Sequence, residues 1–249
     1  MRPTVRSPTA SSSSNPPDVA HGSSGAPSQT AHATRLVTVP PAPDEAADVF
    51  GDQVSRAERY AYRLSTDGVE RGLLGPREID RLWERHLLNC AAVASEVPSA
   101  AEVLDIGSGA GLPGVPLALV RPDLTVTLVE PLLRRATFLA EVCQELDRPG
   151  IDVRRARAEE LPLAAAQVVV ARAVAPLERL VRWTLPRLAP GGRLVAMKGR
   201  NAEQEIVAAR PALDRLGAAS AEVRDLVLPT GRRATRAVVV IAGEGRPRR

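Results

Sequence analysis

Cysteine, aromatic residues and lysine are all scarce in this 249-residue chain, which has two Cys, six Phe, Tyr and Trp together, and one Lys. Cys90 and Cys143 have no second Cys or His beside them at zinc-ligand spacing, so neither a disulfide framework nor a metal site is expected, and a reducing compartment fits. Six aromatics are too few for a platform on which bases stack. Apolar runs are short as well: Ile106 to Val120 is broken by Gly and Pro, and Leu161 to Ala171 falls well below the ~18 residues of a membrane span. Residues 1–30 contain no apolar signal-peptide core, so a cytoplasmic protein without membrane contact is expected.

What the chain does contain is enough for one full domain with a sizeable core: 44% hydrophobic and 25% charged residues. That excludes a peptide hormone or a coiled coil. Charge is unevenly distributed. Residues 45–100 carry seven Arg against ten carboxylates, whereas residues 101–249 carry 22 Arg and one Lys against 17 carboxylates. An arginine-rich second half suits a polyanionic partner such as nucleic acid. The lone lysine, Lys198, stands where a compact ammonium is wanted rather than a planar guanidinium.

Residues 1–44 are rich in Ser, Pro, Ala and Thr and are expected to form a disordered tail. Residues 45–100 read as helices. Val49, Phe50, Val54, Ala57, Tyr60, Ala61 and Leu64 recur at three and four until Gly68, and a second stripe after Pro76 holds Ile79, Leu82, Trp83, His86, Leu87 and Cys90. From 101 to 243 short apolar strands alternate with helices, which predicts a seven-stranded, mainly parallel α/β sheet covered on both faces. Expected strands are 103–106, 125–130, 153–155, 168–171, 194–198, 222–227 and 237–242, with helices over 112–120, 132–146, 177–188 and 202–216. The last two strands are too close for a helical crossover and should form an antiparallel hairpin at the sheet edge. Residues 244–249 read as a basic tail.

The most informative segment is Val103-Leu-Asp-Ile-Gly-Ser-Gly-Ala-Gly-Leu-Pro-Gly114, a strand running into a glycine loop and then a helix. Such a loop forms the floor of a ligand crevice in open parallel sheets. Gly109-x-Gly111-x-x-Gly114 satisfies a dinucleotide fingerprint. The spacing of Asp105, Gly107, Gly109 and Gly111 resembles instead motif I of S-adenosylmethionine (AdoMet)-dependent methyltransferases, and Glu130 at the end of the second strand suits a ribose in either ligand.

Six blocks, in order, resemble the bacterial 16S ribosomal RNA guanine-N7 methyltransferases (RsmG, or GidB) over residues 50–242. They are Arg85-His-Leu-Leu-Asn-Cys90, Gly107-Ser-Gly-Ala-Gly-Leu-Pro-Gly-Val-Pro-Leu117, Val129-Glu-Pro-Leu-Leu-Arg-Arg-Ala-Thr-Phe-Leu139, Arg157-Ala-Glu-Glu160, Ala171-Arg-Ala-Val-Ala-Pro-Leu177 and Met197-Lys-Gly199. The resemblance implies a Rossmann-like class I methyltransferase fold with an N-terminal helical extension, AdoMet as cofactor, and 16S rRNA or the 30S subunit as partner. It implies AdoMet contacts at Gly107, Leu112, Ala158, Glu159 and Arg172, with Gly109 and Gly111 in the loop and Glu130 at the ribose. Ala110 stands where the family often has Pro, and Asn89 and Glu130 where it often has Asp.

Guanine N7 offers a lone pair and no proton, so its methylation requires no general base. Lys198 is therefore expected to orient phosphate or O6, and Arg172 to fork onto the methionine carboxylate. Arg85, His86 and Arg157 are candidate substrate contacts; Arg154, Arg155 and Arg157, with Arg232, Arg233 and Arg236, are candidate phosphate contacts; Trp83 and Trp183 are read as packing. Three rival readings are a methyltransferase of the same fold acting on a small molecule or protein, an NAD-linked oxidoreductase, and a cofactor-binding RNA chaperone. No Tyr follows Tyr62, which removes the Tyr/Lys pair of many short-chain reductases.

Overall fold

A computed structural model describes residues 39–163 and 166–245. The expected tail over 1–44 lies outside the described residues except for 39–44, and so do 246–249 of the basic tail.

The helical segment begins at Asp44, where α1 (Asp44–Phe50) leads through a 3-10 turn into α2 (Val54–Arg63). Ala57, Tyr60, Ala61 and Leu64 are fully buried, as their spacing on one helical face requires. The second helix is less regular than its pattern implies. It starts as a 3-10 turn (Pro76–Arg81), widens to π geometry over Leu82–Leu88, passes through one α turn, α3 (Asn89–Ala91), and ends in a 3-10 turn at Glu96.

The strands are β1 (Glu102–Ile106), β2 (Thr125–Val129), β3 (Ile151–Arg154), β4 (Ala166–Arg172), β5 (Leu188–Met197), β6 (Ala218–Val227) and β7 (Arg233–Ala242). They form one sheet in the order β3-β2-β1-β4-β5-β7-β6. β1 to β5 are parallel, and β7 runs antiparallel to both β5 and β6. The expected hairpin is present, with β7 inside and β6 at the edge. Helices α4 (Gly114–Val120), α5 (Leu133–Leu146), α6 (Leu177–Thr184) and α7 (Ala202–Arg215) fill the crossovers.

Successive strand residues feed two separate cores, because side chains alternate across a pleated sheet. Val168 and Val170 of β4, with Val195, Val239 and Val103, pack against the N-terminal helices, α4 and α5. Val169 and Ala171, with Leu194, Val238 and Val240, pack against α6 and α7. Strands buried on both faces explain why they read as unbroken apolar runs. The N-terminal helices thus complete one face of the sheet and share its core. Among the described residues no helix is long and apolar enough to cross a membrane.

Candidate functional site

The strand order reverses beside β1, whose neighbours β2 and β4 lead to helices on opposite faces, and a crevice opens there at the carboxyl ends of the strands. A cavity of about 730 Å³ occupies this place. Its lining includes Gly107, Glu130, Leu132, Ala158, Glu159 and Trp183, within the 300–1,000 Å³ range usual for small-molecule sites.

The glycine loop is strapped from three sides. The amides of Gly107 and Ser108 both donate to the Val129 carbonyl at the end of β2 (2.9 and 3.1 Å). Gly109 donates to Glu130 Oε2 (3.0 Å), and the Tyr60 hydroxyl of α2 donates to the Ala110 carbonyl (2.8 Å). Gly107 has φ +70°, and a Cβ there would lie 2.8 Å from a methyl of Val174. The backbone therefore approaches the segment after β4 more closely than any side chain permits.

Asp105 sits beneath this loop rather than in the cavity. The alternation of β1 turns it toward α4, where Oδ2 accepts the Gly114 amide (3.0 Å) and Oδ1 is buried with no partner among the described residues. Burial pushes its carboxyl up to about 7. Glu130 is also buried, but its two oxygens are used locally: Oε2 by Gly109, and Oε1 by the amide of Leu132 at the start of α5 (3.0 Å). Each oxygen keeps a second lone pair, so holding the loop does not stop the carboxylate from accepting a ribose hydroxyl.

Ala158 and Glu159 open a 3-10 turn after β3, with the Arg157 amide bonded to Glu160 (2.9 Å). The turn is fixed from behind by Arg187, which donates to the carbonyls of Ala158 (2.9 Å) and Glu159 (2.7 Å) and is itself buried. Sequence reasoning missed Arg187, because a contact across almost thirty residues leaves no local periodicity.

Arg172, His86, Arg85 and Lys198 lie outside the cavity lining. Arg172 leaves β4 toward the helical layer, where Nη2 meets His86 Nδ1 (2.6 Å) and Nη1 meets Cys90 Sγ (3.1 Å). Since a guanidinium only donates, His86 Nδ1 is the acceptor, and Nε2 carries the proton that Glu78 accepts (2.9 Å). Burial first, and then the Arg172 charge, depress His86 to about 4, so the ring is neutral near pH 7. Burial raises the Cys90 thiol to about 11. Arg85, half exposed, joins the end of this chain of contacts through the same Glu78 oxygen (3.4 Å). Lys198 forms neither a phosphate site nor an open cation: Nζ donates to the Ala175 carbonyl (2.6 Å) and pairs with Glu205 (2.8 Å). Glu205 in turn accepts the Leu177 amide (2.7 Å), so the pair fixes Ala175 and Leu177, just after the Ala173 and Val174 that line the cavity. Leu112, Gly109 and Gly111 shape the loop and are not part of the cavity lining.

Trp183, expected to be packing, lines the cavity with Arg179, whose guanidinium lies 4.8 Å from the ring centroid. Trp83 does pack, edge-on to Phe50 and donating to the Pro40 carbonyl (3.0 Å). Among the described residues no group of three or more His, Cys, Asp or Glu is placed to hold a metal.

The family model for rRNA small subunit methyltransferase G matches residues 53–233. Three relatives carrying the name ribosomal RNA small subunit methyltransferase G are similar over most of their length. That of Streptomyces avermitilis is 54% identical over 192 residues (76% of this chain, 81% of the relative). The Streptomyces coelicolor protein is 57% identical over 182 residues (72% and 76%), and that of Nocardioides sp. JS614 55% over 210 residues (83% and 84%). Among solved structures, a predicted O-methyltransferase, Atu636, from Agrobacterium tumefaciens superposes with a TM-score of 0.51 at 22% identity, covering 64% of this chain and 81% of that one. M. jannaschii TYW2 in complex with AdoMet gives 0.51 at 17%, covering 64% and 75%. These likenesses establish the class I AdoMet-dependent methyltransferase fold. With the family match across most of the described sheet and its helical layer, they lead to one conclusion: the chain belongs to the rRNA small subunit methyltransferase G family.

Proposed function

We propose that this chain transfers a methyl group from AdoMet to N7 of a guanine in 16S ribosomal RNA, within the 30S subunit and in the cytoplasm. The observation that carries this reading is the cavity at the reversal of strand order, floored by a glycine loop whose Gly107 leaves no room for a side chain and walled by the Glu130 carboxylate.

The residues present fit AdoMet. Spare lone pairs on Glu130 suit the ribose hydroxyls, the bare backbone of Gly107 suits close approach of the cofactor, and the Ala158–Glu159 turn lies opposite, where it can flank the purine. When bound, AdoMet supplies a methyl on a positively charged sulfur, which becomes a neutral thioether while the charge passes to the purine.

The protein's own contribution is placement. Well-oriented reactants can save ~7 to 11 kcal/mol of barrier, and N7 asks for nothing else, since no proton has to leave. Asp105 beneath the loop and neutral His86 suit that chemistry, because neither faces the cavity. The Lys198–Glu205 pair is neutral as a unit and lies outside the cavity lining. Its role is to fix Ala175 and Leu177 after the turn that borders the cavity. Arg172 stabilises the same strand end by tying it to the helical layer.

The test is incubation with methyl-labelled AdoMet and 30S subunits lacking the modification, beside naked 16S rRNA and a lane without RNA, followed by nucleoside analysis. Label in 7-methylguanosine is expected from the 30S lane. Label in another nucleoside, or none while AdoMet binding is measurable, would overturn the reading.

A further inference from the structure

We infer that Arg135, Arg155, Arg157 and Arg179, which line the cavity, form the surface that grips phosphates of the RNA strand delivering the target base, and that Arg232, Arg233 and Arg236, in β7 and the turn before it, do not. This rests on the rRNA reading above.

The two arginine groups that look alike in the sequence differ in how their charge is used. Arg232 pairs with Glu45 (2.7 Å), Arg233 with Asp225 (3.1 Å) and Arg236 with Glu203 (2.6 Å). Arg155 and Arg157 are exposed and have no carboxylate within ion-pair distance among the described residues. Arg135 reaches Glu130 only at 4.0 Å. Arg179 is stacked on Trp183, and its neighbour Glu178 is engaged by Arg182 (2.8 Å).

The cofactor does not account for these charges. AdoMet carries a sulfonium, an ammonium and a single carboxylate, so it is a net cation, and the three carboxylates of the lining do not balance four guanidinium groups and a cation, which leaves a net positive charge for a further anion. Glu130, Glu159 and Glu160 are the carboxylates in the lining; Glu130 is buried under the loop, and Glu160 accepts the Arg157 amide. Guanidinium forks match phosphate oxygens bidentately, and Arg179 lies over the Trp183 ring with no carboxylate partner among the described residues. Such contacts set register and orientation rather than sequence preference. That is what a site needs if it must hold one purine in line with a methyl donor.

The measurement is binding of the full chain to naked 16S rRNA across a salt series, with AdoMet affinity measured separately by calorimetry without RNA. Each lost phosphate contact should lower the slope of log affinity against log salt by about 0.7 to 0.9. The double variant Arg155→Ala/Arg157→Ala should flatten the slope by about 1.4 or more, while AdoMet affinity stays within about twofold. Arg155→Lys/Arg157→Lys should restore the slope, which separates lost charge from a damaged fold. The triple variant Arg232→Ala/Arg233→Ala/Arg236→Ala should keep the slope of the parent chain. An unchanged slope in the double variant, a slope lost only in the triple, or a fall confined to AdoMet affinity would each overturn the inference. If the parent chain does not bind naked 16S rRNA, the same salt series is read on 30S subunits lacking the modification, and absence of binding there overturns the rRNA reading itself.

Discussion

Gly107 shows how tightly one residue is specified. An Ala there takes on a left-handed backbone, costing about 1 to 2 kcal/mol, and its methyl meets Val174 at 2.8 Å. Gly107→Ala should lower AdoMet affinity at least tenfold in calorimetry. Adding Val174→Ala removes the nearest clashing atoms but not the backbone cost, so recovery should be partial. Complete recovery would show that φ is not limiting, and none would show that Val174 is not the obstacle.

Asp105 and His86 make a second case at this scale, because their ionisations oppose each other. Folding raises Asp105 from 3.8 to about 7, so its contribution to stability is complete below 3.8 and is lost as pH rises through 7. Folding lowers His86 from 6.5 to about 4, so its contribution is present above 6.5 and is lost as pH falls through 4. Between about 4 and 6.5 the two largely offset each other. Asp105→Asn removes one of them. Its unfolding free energy should then rise with pH through this window more steeply than that of the parent, by up to about 1.4 kcal/mol per pH unit. Parallel curves in urea melts would contradict the burial of that carboxyl as a folded-state acid.

At the scale of elements, the turn after β3 depends on an arginine from the far end of α6. Arg187→Met keeps the apolar stem but leaves the carbonyls of Ala158 and Glu159 without donors, each a loss of about 1 to 3 kcal/mol if they stay buried. Lower stability in urea and a weaker AdoMet affinity should appear together, and Arg187→Lys should recover part of both. A variant with normal affinity would show that the turn does not need this support.

Elements are also where the sequence was most legible. The inner strands, buried on both faces, announce themselves as apolar runs, and all seven expected strands are found, with starts up to six residues earlier than expected. The second N-terminal helix was legible as a stripe but not in its 3-10 and π geometry, because burial decides the stripe while packing beneath α1 and α2 decides the winding. In the site, the glycine loop, Glu130 and the Ala158–Glu159 turn are local in the chain and legible as motif spacing. The partners of Lys198 and Arg172 are not, since Glu205 stands on the next helix and His86 and Cys90 lie far off in sequence, and the helical stripe that makes Trp183 a packing residue, as it is, does not say that it also borders the cavity.

At the scale of the whole molecule, the N-terminal helices and the sheet share one core, so they should unfold together. The two tryptophans lie at suitable places to test this, Trp83 in the helical layer and Trp183 at the cavity. Single-tryptophan variants made with Trp183→Phe or Trp83→Phe should report the same urea midpoint by fluorescence when corrected for each variant's stability by circular dichroism, and AdoMet should raise both midpoints equally. Separate transitions would mean that the helical layer is a distinct folding unit.

The order of strands in space differs from their order in time. β6 is made before β7, yet its only neighbour in the sheet is β7, the strand of the hairpin that pairs with β5. During synthesis β6 therefore has no template to join and must wait for the strand that follows it. A hairpin closes within microseconds, far faster than residues are added. The pair is thus positioned to form as a unit and seal the sheet in one docking step, so that the hydrogen-bonding edge of β5 stays open to other nascent strands until that moment.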